Sequence, residues 1–498
     1  MSASFPKRSS TLKGLLLSTV ALGLASPAIA AEASDLEQKL EKLLEEVEAL
    51  KQSQQEQREL MDKQQREIEA REQLIEEQRK QIEKQIEAQN EKIEQQGERI
   101  VAAPAQAVTV GDQPGSLKIP GTNTSIKIGG YAKADFFYDV NSDTGDSFAA
   151  SAIPADGTDE KEGNFRAHSR QTRVNLETWT PIEPLGVVNT FIEGDFFGAG
   201  GNEVFSNSTS FRIRHAYGEF TRDNFGVLFG QTWTNFMPLA SYPETVDFFG
   251  PAGIPFVRQG QARFTYTALD NLSISFSAEN SELTARDGSV DSGNIIGSDS
   301  PQDLQFGIDR IPDFTAAIEY LDEERGWDFK VSGVARLLGT ESGGGAPQDD
   351  EEFGWGVFAG GVVPIGELVP IFGEDALAVN FTYGDGVGRY ILNGFAQDAF
   401  IDDDGEIDPI EAWSLAAGYT HFWTDTFRSN LVYGHYEVGD TFGDDDTERL
   451  QTIHANLIWS PTERVNLGLE WIGGLRSFED SDLDNTAQRI QFGAQYFF

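Results

Sequence analysis

From Ser125 to the C-terminus, apolar and aromatic residues alternate with small or polar ones. Leu377, Val379, Phe381 and Tyr383 fall on one side of a stretch that puts Asn380 and Thr382 on the other. Trp327, Phe329, Val331 and Ala335 alternate with Asp328, Lys330, Ser332 and Arg336. Trp413, Leu415, Ala417 and Tyr419 alternate with Ser414, Ala416 and Gly418, and Val465, Leu467, Leu469 and Trp471 with Asn466, Gly468 and Glu470. Period two is the period of a strand, whose successive side chains point to opposite faces. Sixteen such stretches begin near residues 125, 165, 185, 209, 224, 256, 271, 312, 326, 354, 375, 410, 425, 448, 463 and 486.

The connections alternate in length. Short turns fall at Pro181–Pro184, Arg222–Asn224, Leu269–Asn271, Asp322–Arg325, Trp423–Asp425 and Ser460–Glu463, with a longer one at 364–374. Polar loops separate the other pairs at 141–164, 197–208, 233–255, 282–302, 340–353, 386–409, 438–447 and 477–485. Period two with this asymmetry predicts an all-β transmembrane barrel of 16 antiparallel strands. The polar face would line a lumen and the apolar face would meet lipid. The last strand, Ile490 to Phe498, carries Ile490, Phe492, Tyr496 and Phe498 on one face. It resembles the closing strand that the barrel assembly machinery of bacterial outer membranes recognises.

Upstream the period changes to seven. Leu40, Val47, Met61, Ile68, Ile75 and Ile82 form one seam; Leu36, Leu43 and Leu50 form its companion, which continues as Gln57, Gln64, Gln78 and Gln85. Ile86, Ile93 and Ile100 resume after a four-residue step, a stutter. This predicts an α-helical coiled coil over 31–101, with a polar, weak seam that favours more than two strands. A lone solvated helix rich in ion pairs is the competing reading. Residues 102–124, with Pro104, Pro114 and Pro120, read as a linker, and 125–498 as the barrel. Residues 1–30 read as a secretory signal: Lys7, Arg8 and Lys13, then an apolar run, then Ala28-Ile29-Ala30. The mature chain would start at Ala31. No cysteine follows for a lipid anchor.

Composition narrows the choice. The chain has 498 residues, a formal net charge of −43, 35 Phe, 51 Gly and no Cys. Disulfides and thiolate metal sites are excluded. Nucleic acid is excluded as a partner, since phosphate binding needs clustered Lys and Arg. The arm is not a basic one for anionic lipid, because 31–101 holds 20 acidic and 12 basic residues. Much of the remaining acid sits in outer loops: Asp349–Glu352, Asp402–Asp404 and Asp444–Asp446.

The layout resembles the general porins, and most closely the DcaP-like porin family. The stretches that carry the resemblance are Ser169-Arg170-Gln171-Thr172-Arg173, Arg212-Ile213-Arg214-His215-Ala216-Tyr217 and Gly230-Gln231-Thr232-Trp233-Thr234-Asn235-Phe236-Met237. The resemblance implies a homotrimer in the outer membrane, a periplasmic coiled coil, a third loop folded into the pore, and uptake of small anions such as dicarboxylates. Outer-membrane lipid, lipopolysaccharide and peptidoglycan are the envelope partners this placement brings.

A pore selects by the charges at its narrowest ring. Alternation places Lys127, Lys133, Arg173, Arg212, Arg214, Arg263, Lys330 and Arg336 on the lumen face, and Arg170 joins them if the strand bulges before Arg173. The expected constriction loop carries Trp233, Phe236, Asp247, Phe248 and Phe249, stiffened by four prolines. Asp135, Glu177, Glu193 and Asp195 share the early strands, so wall-bracing ion pairs are the competing reading of the Arg set. The acidic loops keep cation preference open. No cofactor is expected. Asp402, Asp404 and Glu411 around Gly405 partly fit a calcium loop, but Phe400 falls on its first ligand position. The five His show no metal spacing, and no Gly-x-Ser-x-Gly or phosphate loop is present, so no catalytic residue is assigned. Two alternatives remain: an envelope tether reaching towards peptidoglycan, and a trimeric adhesin, whose small barrel is assembled from several chains.

Overall fold

The computed structural model describes residues 109–498 apart from 157–161, 203–205, 238–240, 288–307, 342–348, 392–396, 402–405, 442 and 444–445, together with parts of 46–92. The signal segment lies outside the described residues. The chain divides into two units, 1–105 and 106–498.

In the first unit every described residue between Glu46 and Lys92 is helical. Lys80 pairs with Glu76 one turn back. Val47, Met61, Ile75, Ile82 and Ile86, all seam positions, are exposed on this single helix.

In the second unit a hairpin precedes the barrel. Val110 bridges Leu117, and Leu117–Lys118 pairs with Ile126 and Ser125. Part of the expected linker is thus folded onto the barrel's base. Sixteen antiparallel barrel strands follow, and each predicted start lies within four residues of the observed one. They are β1 (Ser125–Asp139), β2 (Asn164–His168 and Arg173–Ile182), β3 (Gly186–Asn202) and β4 (Ser208–Arg222). β5 (Phe225–Trp233), β6 (Arg258–Leu269), β7 (Leu272–Glu279) and β8 (Asp313–Asp322) come next. Then come β9 (Trp327–Thr340), β10 (Asp350–Pro364), β11 (Ala376–Asp385) and β12 (Glu411–Thr424). β13 (Phe427–Val438), β14 (Thr447–Thr462), β15 (Val465–Phe478) and β16 (Asn485–Phe497) complete the set. β16 closes the barrel on β1, from Tyr131 opposite Phe497 to Asp139 opposite Arg489. Closure removes the unpaired edges that lipid would not tolerate.

Two connections differ from expectation. The β3–β4 pair continues to Asn202 opposite Ser208, leaving a five-residue link where 197–208 read as loop. Glycines 198 and 201 sit at register shifts there, and a residue without a side chain carries such a bulge readily. β2 breaks at 169–172, so Asp135 pairs with His168 and Tyr131 with Arg173.

The outward face is apolar: Ile128, Val174, Phe229, Phe276, Val331, Leu431 and Leu469 are exposed on the isolated barrel. The inner face of β9–β16 is covered from within. Phe148 and Ile153 of the β1–β2 loop, Phe236 and Ala252 of the β5–β6 loop, and Tyr390 and Ile391 of the β11–β12 loop pack on Phe358, Tyr436, Leu450 and Ile472 of the wall. This core lies inside the barrel. A small sheet joins two outer loops, pairing Ala285–Asp287 with Ala399–Ile401, which also pairs with Ile407–Pro409. Partly exposed inward side chains remain along β2–β6, so the passage is displaced to that side.

Candidate selectivity site

The wall of β2–β6 presents a row of guanidinium groups. A register shift between β3 and β4 opposes Glu193 to His215 and Gly194 to Ile213, which turns Arg212, Arg214 and His215 all inward. Arg212 donates to both oxygens of Asp195 at 3.0 and 2.8 Å. Arg214 donates to Glu193 and Asp195, both at 2.9 Å. Arg173 stands 3.7 Å from Glu193. Arg258 has no carboxylate within ion-pair distance among the described residues and lies over the Trp233 ring at 4.8 Å and Phe256 at 5.5 Å. Four cations therefore share two carboxylates. The side chains of Asp195 and Glu193 are 0% and 11% exposed, whereas those of Arg212 and Arg173 keep 34% and 21%.

The β5–β6 loop, residues 234–257, faces this row. It is held against the inner wall by hydrogen bonds along its length. Ser332 donates to Phe236 O at 2.7 Å, Asn380 to Ser241 O at 2.8 Å, and Arg428 grips Glu244 with two bonds of 2.6 Å. Glycines on the wall make the seats: a Cβ on Gly418 would come within 2.6 Å of Pro243, and one on Gly468 within 2.6 Å of Val246. Tyr242 donates to Phe249 O inside the loop. Burial, with Asp247 nearby, raises its pKa, so the hydroxyl remains a donor. The loop's outermost ring, Phe248, stacks on Phe197 at 4.4 Å and lies 5.7 to 6.0 Å from Arg214, Arg212 and Arg173. Guanidinium faces are thus covered by aromatic rings; Arg212 and Arg173 keep part of their surface open, whereas Arg214 is buried with its donors on Glu193 and Asp195.

Residues 53–498 match the DcaP outer membrane protein family. The chain belongs to that family. Membership with this barrel makes the protein an outer-membrane channel of porin type, a family of channels and not of enzymes. The crystal structure of the outer membrane channel DcaP of Acinetobacter baumannii is similar, with TM-score 0.64 and 24% identity over 78% of this chain and 100% of that one. An anion-selective porin from Comamonas acidovorans gives TM-score 0.48 and 13% identity over 75% and 100%. OmpT of Vibrio cholerae gives 0.45 and 11% over 76% and 99%. The curated proteins contain no match.

Within this family member, the expected site residues separate into groups. Arg173, Arg212, Arg214, Trp233 and Phe248 come together at the row. Arg263 stands beside it, donating to Gln261 and Trp233 O without a carboxylate in ion-pair reach among the described residues. Arg170 pairs with Asp146 of the β1–β2 loop. Lys133 is buried, donating to Val246 O at 2.7 Å with Asp135 at 3.2 Å, so it braces the loop. Three residues do not face the passage. Arg336 is fully buried between Asp313 and Asp398 and also donates to the carbonyls of Gly386 and Glu282. Phe236 is 0% exposed, packed on Phe358 and Tyr390 in the internal core. Asp247 turns back between the two inner loops, accepting from Phe148 N at 3.0 Å and Phe249 N at 2.9 Å. Burial and then Asp313 push the Tyr390 hydroxyl well above its usual range, so it donates to Asp313 at 2.7 Å.

Sequence reading missed Arg258, because alternation counted back from Arg263 puts it outward. It also missed Phe197, Phe256 and His215. For the calcium loop, Asp402 and Asp404 lie outside the described residues; Glu411 accepts from Tyr383 OH at 2.7 Å.

Proposed function

We propose that the protein is a water-filled channel for passive diffusion of small hydrophilic solutes, with a preference for anions and for dicarboxylates among them. The observation that carries this reading is the guanidinium row, in which Arg173, Arg212, Arg214 and Arg258 meet two carboxylates among the described residues, both covered. Its net positive field sits opposite Phe248, where the loop comes nearest the charged wall, and local charge at a constriction decides selectivity. A guanidinium fork matches the two oxygens of a carboxylate. The acidic outer loops lie in water, where charge is screened over about 8–10 Å at physiological salt. They therefore weigh less than the row.

The arm is read as a periplasmic coiled coil that gathers three barrels. Its exposed apolar seam supports association, since a helix of this length gains stability by burying such a stripe.

The test is the reversal potential of the purified protein in a planar bilayer under a KCl gradient, followed by block with succinate. Anion preference and succinate block are the expected results. Cation preference would transfer selectivity to the acidic residues, Glu177 and Glu219 among them. A folded protein without conductance would favour the envelope tether.

A further inference from the structure

Glu470 lies on β15, inside the barrel, 1% exposed. Among the described residues no Lys or Arg lies within ion-pair distance of it; its only titratable ion-pair partner is His454, at 3.3 Å. A buried carboxylate without a cation is costly unless several donors converge on it. Four do. Val246 N donates at 2.8 Å and Asp247 N at 3.1 Å, both from the constriction loop. Asn456 Nδ2 at 3.0 Å and the His454 ring at 3.3 Å come from β14. The two wall donors orient the carboxylate, and its free acceptor directions meet the loop backbone.

The two loop donors immediately precede Phe248. Asp247 then passes the constraint onward, because its carboxylate accepts from Phe249 N and from Phe148 N of the β1–β2 loop. Phe248 is thereby held between a pinned pair and a capped turn, with its ring against Phe197 and the guanidinium row.

We propose that Glu470 sets the aperture of the channel from behind the constriction loop, as the positioning residue for Phe248. It touches no solute. Other anchors keep the loop in the lumen when it is lost, including Arg428–Glu244 and Lys133–Val246 O. What is lost is the fixed distance between Phe248 and the row. Losing two charge-assisted hydrogen bonds raises the released population of this segment roughly 100-fold.

The proposal rests on the channel reading, and wild-type conductance tests that reading separately. Single-channel recordings would compare wild type, Glu470→Ala and Glu470→Gln. Glu470→Ala is expected to show greater open-channel noise and a lower anion-to-cation permeability ratio. Glu470→Gln, which keeps one acceptor, should fall between. A cross-link supplies the rescue. The chain has no cysteine. A Cβ built on Gly468 lies 3.6 Å from Val246 Cβ, within the roughly 3.5–4.5 Å range of disulfides. Val246→Cys with Gly468→Cys, oxidised in the Glu470→Ala background, should restore quiet current and the wild-type ratio; reduction should abolish both. If Glu470→Ala does not fold to a heat-modifiable barrel, Glu470→Gln with the cysteine pair carries the same comparison. Wild-type noise and ratio in folded Glu470→Ala, or a formed disulfide that restores neither in a defective variant, would overturn the proposal.

Discussion

Arg258 lies 4.8 Å above the ring of Trp233, with no carboxylate within ion-pair distance among the described residues. Its neighbours Arg212 and Arg214 spend their charge on Asp195 and Glu193. Arg258 therefore contributes a guanidinium that is not spent in an ion pair with a described carboxylate. A unit charge about 10 Å away at an effective dielectric near 20 is worth roughly 1.5 kcal/mol before screening. Arg258→Gln should lower the anion-to-cation permeability ratio several-fold, read as a shifted reversal potential in a salt gradient. An unchanged potential would remove Arg258 from the row.

Removing Arg212 and Arg214 together should lower the same ratio, but by less than two full charges. Asp195 would lose both guanidinium partners while Glu193 kept Arg173 at 3.7 Å, and a buried carboxylate deprived of its cation takes up protons more readily. The shift should therefore grow as the measuring pH is raised.

Arg336 makes the opposite kind of change. It bridges Asp313 and Asp398 with all three side chains fully buried. Arg336→Met leaves Asp398 without its guanidinium and Asp313 with Arg389 at 3.9 Å, at a cost of about 3–5 kcal/mol. The urea midpoint of the folded barrel should fall, while the permeability ratio of the surviving folded protein stays at the wild-type value. A changed ratio with unchanged stability would place Arg336 in the passage after all.

Phe248→Ala removes the ring that stands against the guanidinium row and its stacking on Phe197, worth about 0.5–1.5 kcal/mol. Single-channel conductance should rise and selectivity should weaken, because solutes pass farther from the row. Equal conductance would show that the narrowest point lies elsewhere.

Gly434 lies under the return limb of the constriction loop, where a Cβ would strike the backbone of Ala252. Gly434→Ala should cost roughly 1–3 kcal/mol through overpacking. Thermal unfolding followed by gel mobility would read this as a lower transition temperature.

The strands were legible because a strand's two faces repeat every second residue whatever it pairs with. Leu377, Val379, Phe381 and Tyr383 had to share a face, and lipid outside with polar groups inside decided which face. The same count put Arg173, Arg212 and Arg214 on the inner face, where the structure brings them together around Phe248. The count failed where the backbone departs from period two. Arg258 is the first residue of β6, opposite Trp233 at the edge of the loop, and the β3–β4 register shift turns His215 inward beside Arg214. It also could not grade exposure. Arg336 and Arg212 look alike in alternation, but one is sealed by loop carbonyls and the other keeps an open edge.

The chain by itself therefore determined sixteen strands, their facing, the short and long ends of the barrel and the helical arm, since each follows from spacing between near neighbours. The tertiary structure alone decided which cations gather on β2–β6, which are sealed in the internal core and what holds the loop beside them. Those depend on pairs such as Val246 and Glu470, 224 residues apart, whose meeting is set by barrel closure and loop packing and leaves no periodic trace in the sequence.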